Sequence, residues 1–250
     1  MNVRGVFFDL YGTLLLYGDT RAAWADWLGS LHAHLQAHGL AMPPDELART
    51  CDGFFGRDEP PARDDGLTVF ERRIAVLCTD LNLTLAPADI QRIADAIADA
   101  WHEHVTLDPE ARSVLETLGK SRPLALVSNF DHPRYVRALL ARYDLDRHLR
   151  SIVISGEAGV SKPDPRIFQL ALKETGLNAR DVIHVGDTVE DTEGATAAGI
   201  TPVLLSRPEG ATKRSALDYR SEQQTEPDGS VHGDDVLRIS ALKELLSLVQ

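Results

Sequence analysis

Four polar sites in this 250-residue chain have the residue types and settings needed for nucleophilic displacement on an anionic substrate. The first is Asp9, which follows the apolar run Val6-Phe7-Phe8 and enters the turn Leu10-Tyr11-Gly12-Thr13. A carboxylate there can attack phosphorus or carbon, dividing one hard displacement into two easier ones, provided nearby groups neutralise its charge. The second site is Ser128-Asn129, after the apolar Leu124-Ala125-Leu126-Val127, where a hydroxyl and an amide could hydrogen-bond a bound oxyanion. The third is Lys162, in Gly159-Val160-Ser161-Lys162-Pro163-Asp164-Pro165. Its prolines hold the segment extended, so the ammonium can offset charge shared between nucleophile and substrate. The fourth is Val185-Gly186-Asp187-Thr188-Val189-Glu190-Asp191. Carboxylates from Asp187 and Asp191 beside Asp9 would repel one another unless a hard cation sat among them, and magnesium (Mg2+), with its octahedral oxygen coordination, suits that arrangement. Each site alone also has a plainer reading. Asp9, Asp187 and Asp191 could cap turns or helices, Ser-Asn is common turn chemistry, and a lone Lys-Pro is usually solvated.

For the four to act together, the elements that carry them must end at one edge. From Leu107 onward the apolar pattern alternates between helix and strand, the signature of βαβ units and a parallel sheet. Helices are expected at Ala111–Gly119, Pro133–Tyr143, Pro165–Thr175 and Asp191–Ala198, and strands at Leu124–Ser128, Ile152–Ser155, Val182–Val185 and Pro202–Leu205. Val236–Ile239 and a helix at Ala241–Leu248 close the chain. The all-apolar approach to Asp9 suits a strand buried on both faces, with Asp9 at its carboxyl end, where open α/β sheets bind ligands. The expected fold is α/β, a Rossmann-like doubly wound parallel sheet built from residues 1–15 and 106–250, with an α-helical domain inserted at 16–105. Within the insertion, Trp24, Trp27, Leu28, Leu31 and Leu35 recur at helical spacing up to Gly39, and further helices carry Phe70, Ile74, Leu77 and Leu81, then Ile90, Ile93, Ile97 and Trp101. The polar stretch from Arg207 to Gly233 reads as a surface excursion or partly disordered.

Composition narrows the partners. Lys and Arg total 26 against 38 Asp and Glu, a formal charge of -12, which argues against nucleic acid or an anionic membrane as partner. Any anionic substrate must be held by local charge. Cys51 and Cys78 are too few for a disulfide framework, no signal-peptide run opens the chain, and no segment approaches the roughly 20 apolar residues of a membrane span. A cytoplasmic protein acting on a small molecule is the expectation, as a monomer or homodimer.

Taken in order, the four motifs resemble those of the haloacid dehalogenase (HAD) superfamily of aspartate-nucleophile hydrolases, over the whole chain, with the helical insertion matching the cap of one major class. The resemblance implies that Asp9 attacks the substrate, Ser128 binds the phosphoryl group and Lys162 stabilises the nucleophile and the developing charge. It further implies that Asp187 holds magnesium with Asp191 nearby, that Thr13 helps fix the first loop, and that the backbone carbonyl of Tyr11 is a metal ligand. Tyr11, Gly12, Ser128, Asn129 and Lys162 would then surround the substrate, and Asp9, Tyr11, Asp187 and Asp191 the metal.

One departure matters. Most phosphatases of the superfamily carry a second Asp two residues after the nucleophile as general acid and base, and here that position is Tyr11. Asp-Leu-Tyr-Gly-Thr-Leu is similar to the first motif of the metal-independent 2-haloacid dehalogenases. Those enzymes, however, look to a tyrosine where this chain has Phe168, and to serine and asparagine where it has Gly186 and Thr188. Ser128-Asn129-Phe130-Asp131 and Ser161-Lys162-Pro163-Asp164-Pro165-Arg166-Ile167-Phe168 look like a phosphatase-like branch. The favoured reading is a magnesium-dependent phosphatase of a small phosphorylated metabolite, acting through an aspartyl-phosphate. A 2-haloacid dehalogenase is the runner-up, and a feebly catalytic binding protein on the same fold the third.

Other polar residues weigh less. His102 and His104 are two apart on a helix and point to different faces; His32, His34 and His38 read as solvated surface, and His184 as a structural residue of a core strand. His132 and Arg134 follow the second motif closely enough to approach a substrate, or to sit at a helix start on the surface.

Overall fold

The computed structural model describes residues 2–207 and 236–249. The apolar run before Asp9 forms β1 (Gly5–Phe8), with every residue buried. The chain turns at Leu10–Leu14 into β2 (Leu15–Tyr17) and then enters four helices: α1 (Thr20–Ala37), α2 (Pro44–Thr50), α3 (Val69–Asp80) and α4 (Pro87–His102). β3 (Val105–Leu107) follows and pairs with β2 in a two-stranded ribbon, an element the sequence pattern does not announce. Then come α5 (Ala111–Gly119), β4 (Leu124–Ser128), α6 (Pro133–Arg142), β5 (Ser151–Ile154), a single helical turn α7 (Ser155–Ala158) and α8 (Pro165–Thr175). β6 (Val182–Gly186), α9 (Val189–Ala197), β7 (Thr201–Leu205), β8 (Leu237–Ile239) and α10 (Leu245–Leu248) complete the described chain.

Its residues fall into two compact units, one of 2–16, 107–207 and 236–249, the other of 17–106. The second carries α1 to α4, with a core of Trp27, Leu31, Leu35, Phe70, Ile74, Ile93 and Ile97 among others. Its helices begin where local chemistry satisfies the free amides. Asp19 accepts from Arg21 and Ala22 at the head of α1, and Thr68 and Glu71 form a capping box at the head of α3. Each such cap contributes about 1 kcal/mol. Cys51 and Cys78 are free thiols buried in this core, and burial pushes them up to about 12 and about 11, which keeps both protonated.

The first unit is a six-stranded sheet in the order β5-β4-β1-β6-β7-β8, with all five pairings parallel. Starting from β1 the chain builds outward through β4 and β5, returns to the far side of β1 at β6, and builds outward again. This is the doubly wound order, whose crevice for ligands opens where the winding reverses, between β1 and β6. The α/β class holds. Element ends differ by a residue or two from the sequence pattern: β5 stops at Ile154 and Ser155 opens α7, and α9 starts at Val189 because Thr188 caps it. The helix expected at Ala241–Leu248 is a 3-10 turn at Leu242–Glu244 leading into α10. Of the expected polar excursion Arg207–Gly233, all but Arg207 lies outside the described residues.

Candidate active site

Register brings three of the motifs to one edge. Phe8 is level with Leu126 on one side and Val185 on the other, so Asp9, Ser128 and Asp187 all leave the sheet at the carboxyl ends of adjacent strands. The Asp9 amide is anchored on the Val185 carbonyl at 2.9 Å. Ser128 ends β4 and is buried.

Lys162 joins the fourth motif to the first. Its Nζ donates to Asp9 Oδ1 and to Asp191 Oδ1, each at 2.6 Å, with all three side chains buried. The Asn129 amide fixes the lysine's backbone: its Oδ1 accepts from Lys162 N at 2.8 Å and its Nδ2 donates to Lys162 O at 3.0 Å. That donor and acceptor pattern admits one amide orientation. Asn129 therefore holds the lysine, with both ends of its amide engaged, where the sequence reading set it against a substrate oxyanion.

Asp191 is the most completely satisfied group in the cluster. Its Oδ1 accepts from Lys162 Nζ and from His184 Nε2 at 2.9 Å, and its Oδ2 from Thr188 Oγ1 at 2.7 Å and Thr188 N at 3.2 Å. Burial would raise this carboxyl, but Lys162 and His184 outweigh it and hold the acid far below the usual range. Asp9 moves the other way. Burial lifts it, Lys162 pulls it back, and Asp191 and Asp187 push it up again, to about 7. Burial opposes the charge on Lys162, but Asp191 and Asp9 hold its proton more tightly than in water. One ammonium thus stands among three carboxylates and offsets only part of their charge.

Asp9, Asp187 and Asp191 each bring a carboxylate oxygen within 4.8 Å of the others'. An all-oxygen, net-anionic donor set of this kind fits a hard divalent cation such as magnesium. Both oxygens of Asp191 already serve other donors, which leaves Asp9 and Asp187 the better placed to hold a metal. Two glycines make the approach possible. A Cβ on Gly12 would lie 2.2 Å from Asp187 Oδ2, and one on Gly186 would lie 2.2 Å from the Asp191 carboxylate carbon. Gly12 also sits at φ +85°, which an L side chain rarely adopts.

The turn after Asp9 is held chiefly by backbone. The Leu10 carbonyl accepts from Thr13, Leu14 and Leu15, and Gly12 N donates to Leu15 O at 2.7 Å. Thr13 Oγ1 is buried and makes no hydrogen bond among the described residues, so the hydroxyl is not what fixes this loop. From just past β7, Arg207 adds side-chain bonds to those of the backbone, donating to the Gly12 and Thr13 carbonyls and to its ion partner Asp108. Neither residue stands out in the sequence, although an Arg just past a core strand, at the same sheet edge as the nucleophile, was a usable signal. His184 was legible only as a histidine breaking an apolar strand; it supports Asp191 and packs edge-on against Phe168 at 4.8 Å. Tyr11 stacks on Phe130, 5.1 Å between ring centroids and 8° from parallel. His132 is buried at the head of α6 and stacks on Tyr135. In the helical unit, His32 bonds Met42 O and His104 bonds Asp26, contacts that tie its own helices and loops.

The family model described as haloacid dehalogenase-like hydrolase matches residues 3–199. The chain belongs to that family. Among relatives of this HAD-like hydrolase, a phosphoserine phosphatase of Thermus thermophilus is 35% identical over 124 residues, 49% of this chain and 49% of that protein, so the match spans about half the length of this relative. An (S)-2-haloacid dehalogenase 4A of Burkholderia cepacia is 29% identical over 210 residues, 82% of this chain and 84% of that one. The solved structure of a HAD phosphatase from Thermococcus onnurineus superposes with a TM-score of 0.66, covering 99% of this chain and 98% of the other at 19% identity, which speaks to the fold. Among the described residues, no helix is long and apolar enough to cross a membrane.

Proposed function

We propose that this HAD-like hydrolase cleaves a small phosphate monoester through Asp9, with magnesium bound beside Asp9 and Asp187, and that residues 17–106 serve as the cap that selects the substrate. The observation that carries the reading is the charge at the sheet edge: three carboxylates around one ammonium. Magnesium, when bound, would neutralise that excess and the charge of a phosphoryl group. Lys162 keeps one oxygen of Asp9 in a fixed position, leaving the other to attack phosphorus as the bond to the ester oxygen breaks. The leaving oxygen takes up a proton from solvent water, and a second water then cleaves the acyl phosphate, adding its oxygen to the phosphoryl group, to return the Asp9 carboxylate and release inorganic phosphate. Ser128, which ends the adjacent strand, would hydrogen-bond the transferred group. The relatives that are phosphatases support the same direction.

With Tyr11 stacked on Phe130 where most phosphatases of the superfamily carry an aspartate, acid and base assistance worth about 10²–10⁴-fold is missing. Substrates with good leaving groups would therefore be turned over best. The same feature favours a second reading, displacement of halide from a 2-haloacid with an ester at Asp9, in keeping with the dehalogenase relatives. Turnover of p-nitrophenyl phosphate by chelator-treated protein, with and without added magnesium and beside Asp187→Asn, separates the two. Magnesium-dependent phosphate release, lost in the variant, supports the phosphatase. No release in either condition, with chloride freed from a 2-chloroacid without metal, replaces it with the dehalogenase.

A further inference from the structure

We propose that Arg207, with Asp108, is a positioning residue for the turn that carries the nucleophile: the pair grips three successive carbonyls just past Asp9 and so sets where Asp9 and Gly12 sit. The inference rests on the reading of Asp9 as nucleophile. Arg207 Nη1 donates to Gly12 O, and Nη2 donates to Thr13 O at 2.8 Å and to Asp108 Oδ2 at 2.6 Å. The next carbonyl, Leu14 O, accepts from the backbone amide of Asp108 at 2.9 Å. Asp108 is in turn fixed by its Oδ1, which accepts from Glu110 N at 2.7 Å just ahead of α5. Residues from three distant parts of the sequence, 12–14, 108 and 207, thus form one closed network within the sheet unit.

Burial makes the arrangement consequential. The side chains of Arg207 and Asp108 are 7% and 8% exposed, so neither carbonyls nor carboxylate can readily exchange the guanidinium for water. A guanidinium can serve two neighbouring carbonyls and a carboxylate at once because its donors lie in one rigid plane; an ammonium places its charge but not that fork. The geometry also links the turn to the acidic cluster. Gly12, whose carbonyl Arg207 holds, is packed so closely against Asp187 that a Cβ there would meet Oδ2 at 2.2 Å. A turn that drifts outward would move Asp9 away from attack geometry and open the space in which the Asp187 carboxylate is now confined. Displacements of about 1 Å at such positions cost on the order of 10²-fold in rate.

The test uses the full chain, with Arg207→Lys and the paired Arg207→Met/Asp108→Leu, the second chosen because replacing both members leaves no buried lone charge. Amide hydrogen exchange reads the turn directly. Exchange at residues 12–15 should accelerate at least about tenfold in both variants while β4 and α8 stay protected. On p-nitrophenyl phosphate, kcat should fall about 10- to 100-fold with KM within about threefold of wild type. In the paired variant, guanidinium at millimolar concentration should not restore activity, because its carboxylate partner is gone; in Arg207→Gly, which keeps Asp108, it should restore several-fold. Unchanged exchange at 12–15, or an unchanged kcat in a variant whose turn has loosened, overturns the proposal. So does loss of the fold in both variants, which would make the pair a support of the whole sheet unit. If wild type is inactive on every phosphate ester, the proposed function falls, and the exchange measurement still decides whether Arg207 holds the turn.

Discussion

Asp191→Asn changes one atom in a position where every lone pair is in use. The carboxylate takes four donors, two on each oxygen: Lys162 Nζ and His184 Nε2 on Oδ1, Thr188 Oγ1 and Thr188 N on Oδ2. An amide has one oxygen. If it faces Thr188, the NH2 confronts the Lys162 ammonium and the His184 N–H; if it faces Lys162, the NH2 confronts the backbone N–H of Thr188. Either orientation sets donor against donor in a site 1% exposed, and also removes one of the two charges that balance Lys162. Breaking a buried pair from one side costs about 3–5 kcal/mol, and Asp9, which remains on Lys162, places the effect at the lower end of that range. For a chain of this size, about 3 kcal/mol is roughly 6–12 °C in Tm. The assay is thermal and urea denaturation in chelator at neutral pH, beside Asp187→Asn, whose half-buried carboxylate should cost no more than about 1 kcal/mol. If Asp191→Asn were as stable as Asp187→Asn, the account of Asp191 as the anchor of Lys162 would be wrong.

Two further outcomes follow from the same cluster. Asp9 has a folded-state pKa raised from 3.8 to about 7, so between those values the folded chain binds more protons than the unfolded one and metal-free stability falls as pH rises through the window, by at most about 4 kcal/mol. Asp191 has the opposite sign: its folded value is depressed, so its contribution is complete above the unfolded carboxylate range and is lost only as pH falls towards that depressed value. Denaturation midpoints from pH 4.5 to 8 in chelator, for wild type and Asp9→Asn, check this; a slope that persists in the variant assigns the effect elsewhere. Gly12→Ala places a Cβ 2.2 Å from Asp187 Oδ2 on a backbone at φ +85°, and should cost about 1–3 kcal/mol and weaken magnesium binding measured by calorimetry. Wild-type affinity in that variant would show that the turn and Asp187 are not coupled.

Much of this was legible in the residues themselves. Short apolar runs at Val6–Phe8 and Leu124–Val127, and the run Val182–Val185 broken only by His184, suit strands buried on both faces of a sheet, and a polar group directly after such a strand emerges at its carboxyl end. Chain order and the handedness of βαβ crossovers then bring those ends together, so Asp9, Ser128 and Asp187 could be assembled without coordinates. The helical character of 20–102 followed from three- and four-residue apolar spacing in the same way.

What the sequence alone could not decide is which partner each polar atom takes, because that depends on distances between different segments, from 7 residues apart for His184 and Asp191 to 194 for Thr13 and Arg207. Asn129 is spent on the backbone of Lys162, Asp191 on Lys162, His184 and Thr188, and Thr13 leaves its hydroxyl unbonded while Arg207, at the edge of a stretch that reads as surface, reaches back to hold the turn. Local pattern determined the elements and the edge they share, since burial of apolar side chains acts within each run. Only the tertiary structure settled the hydrogen-bond partners, since buried donors and acceptors are matched across the fold and a side chain's neighbours in space are not its neighbours in the chain.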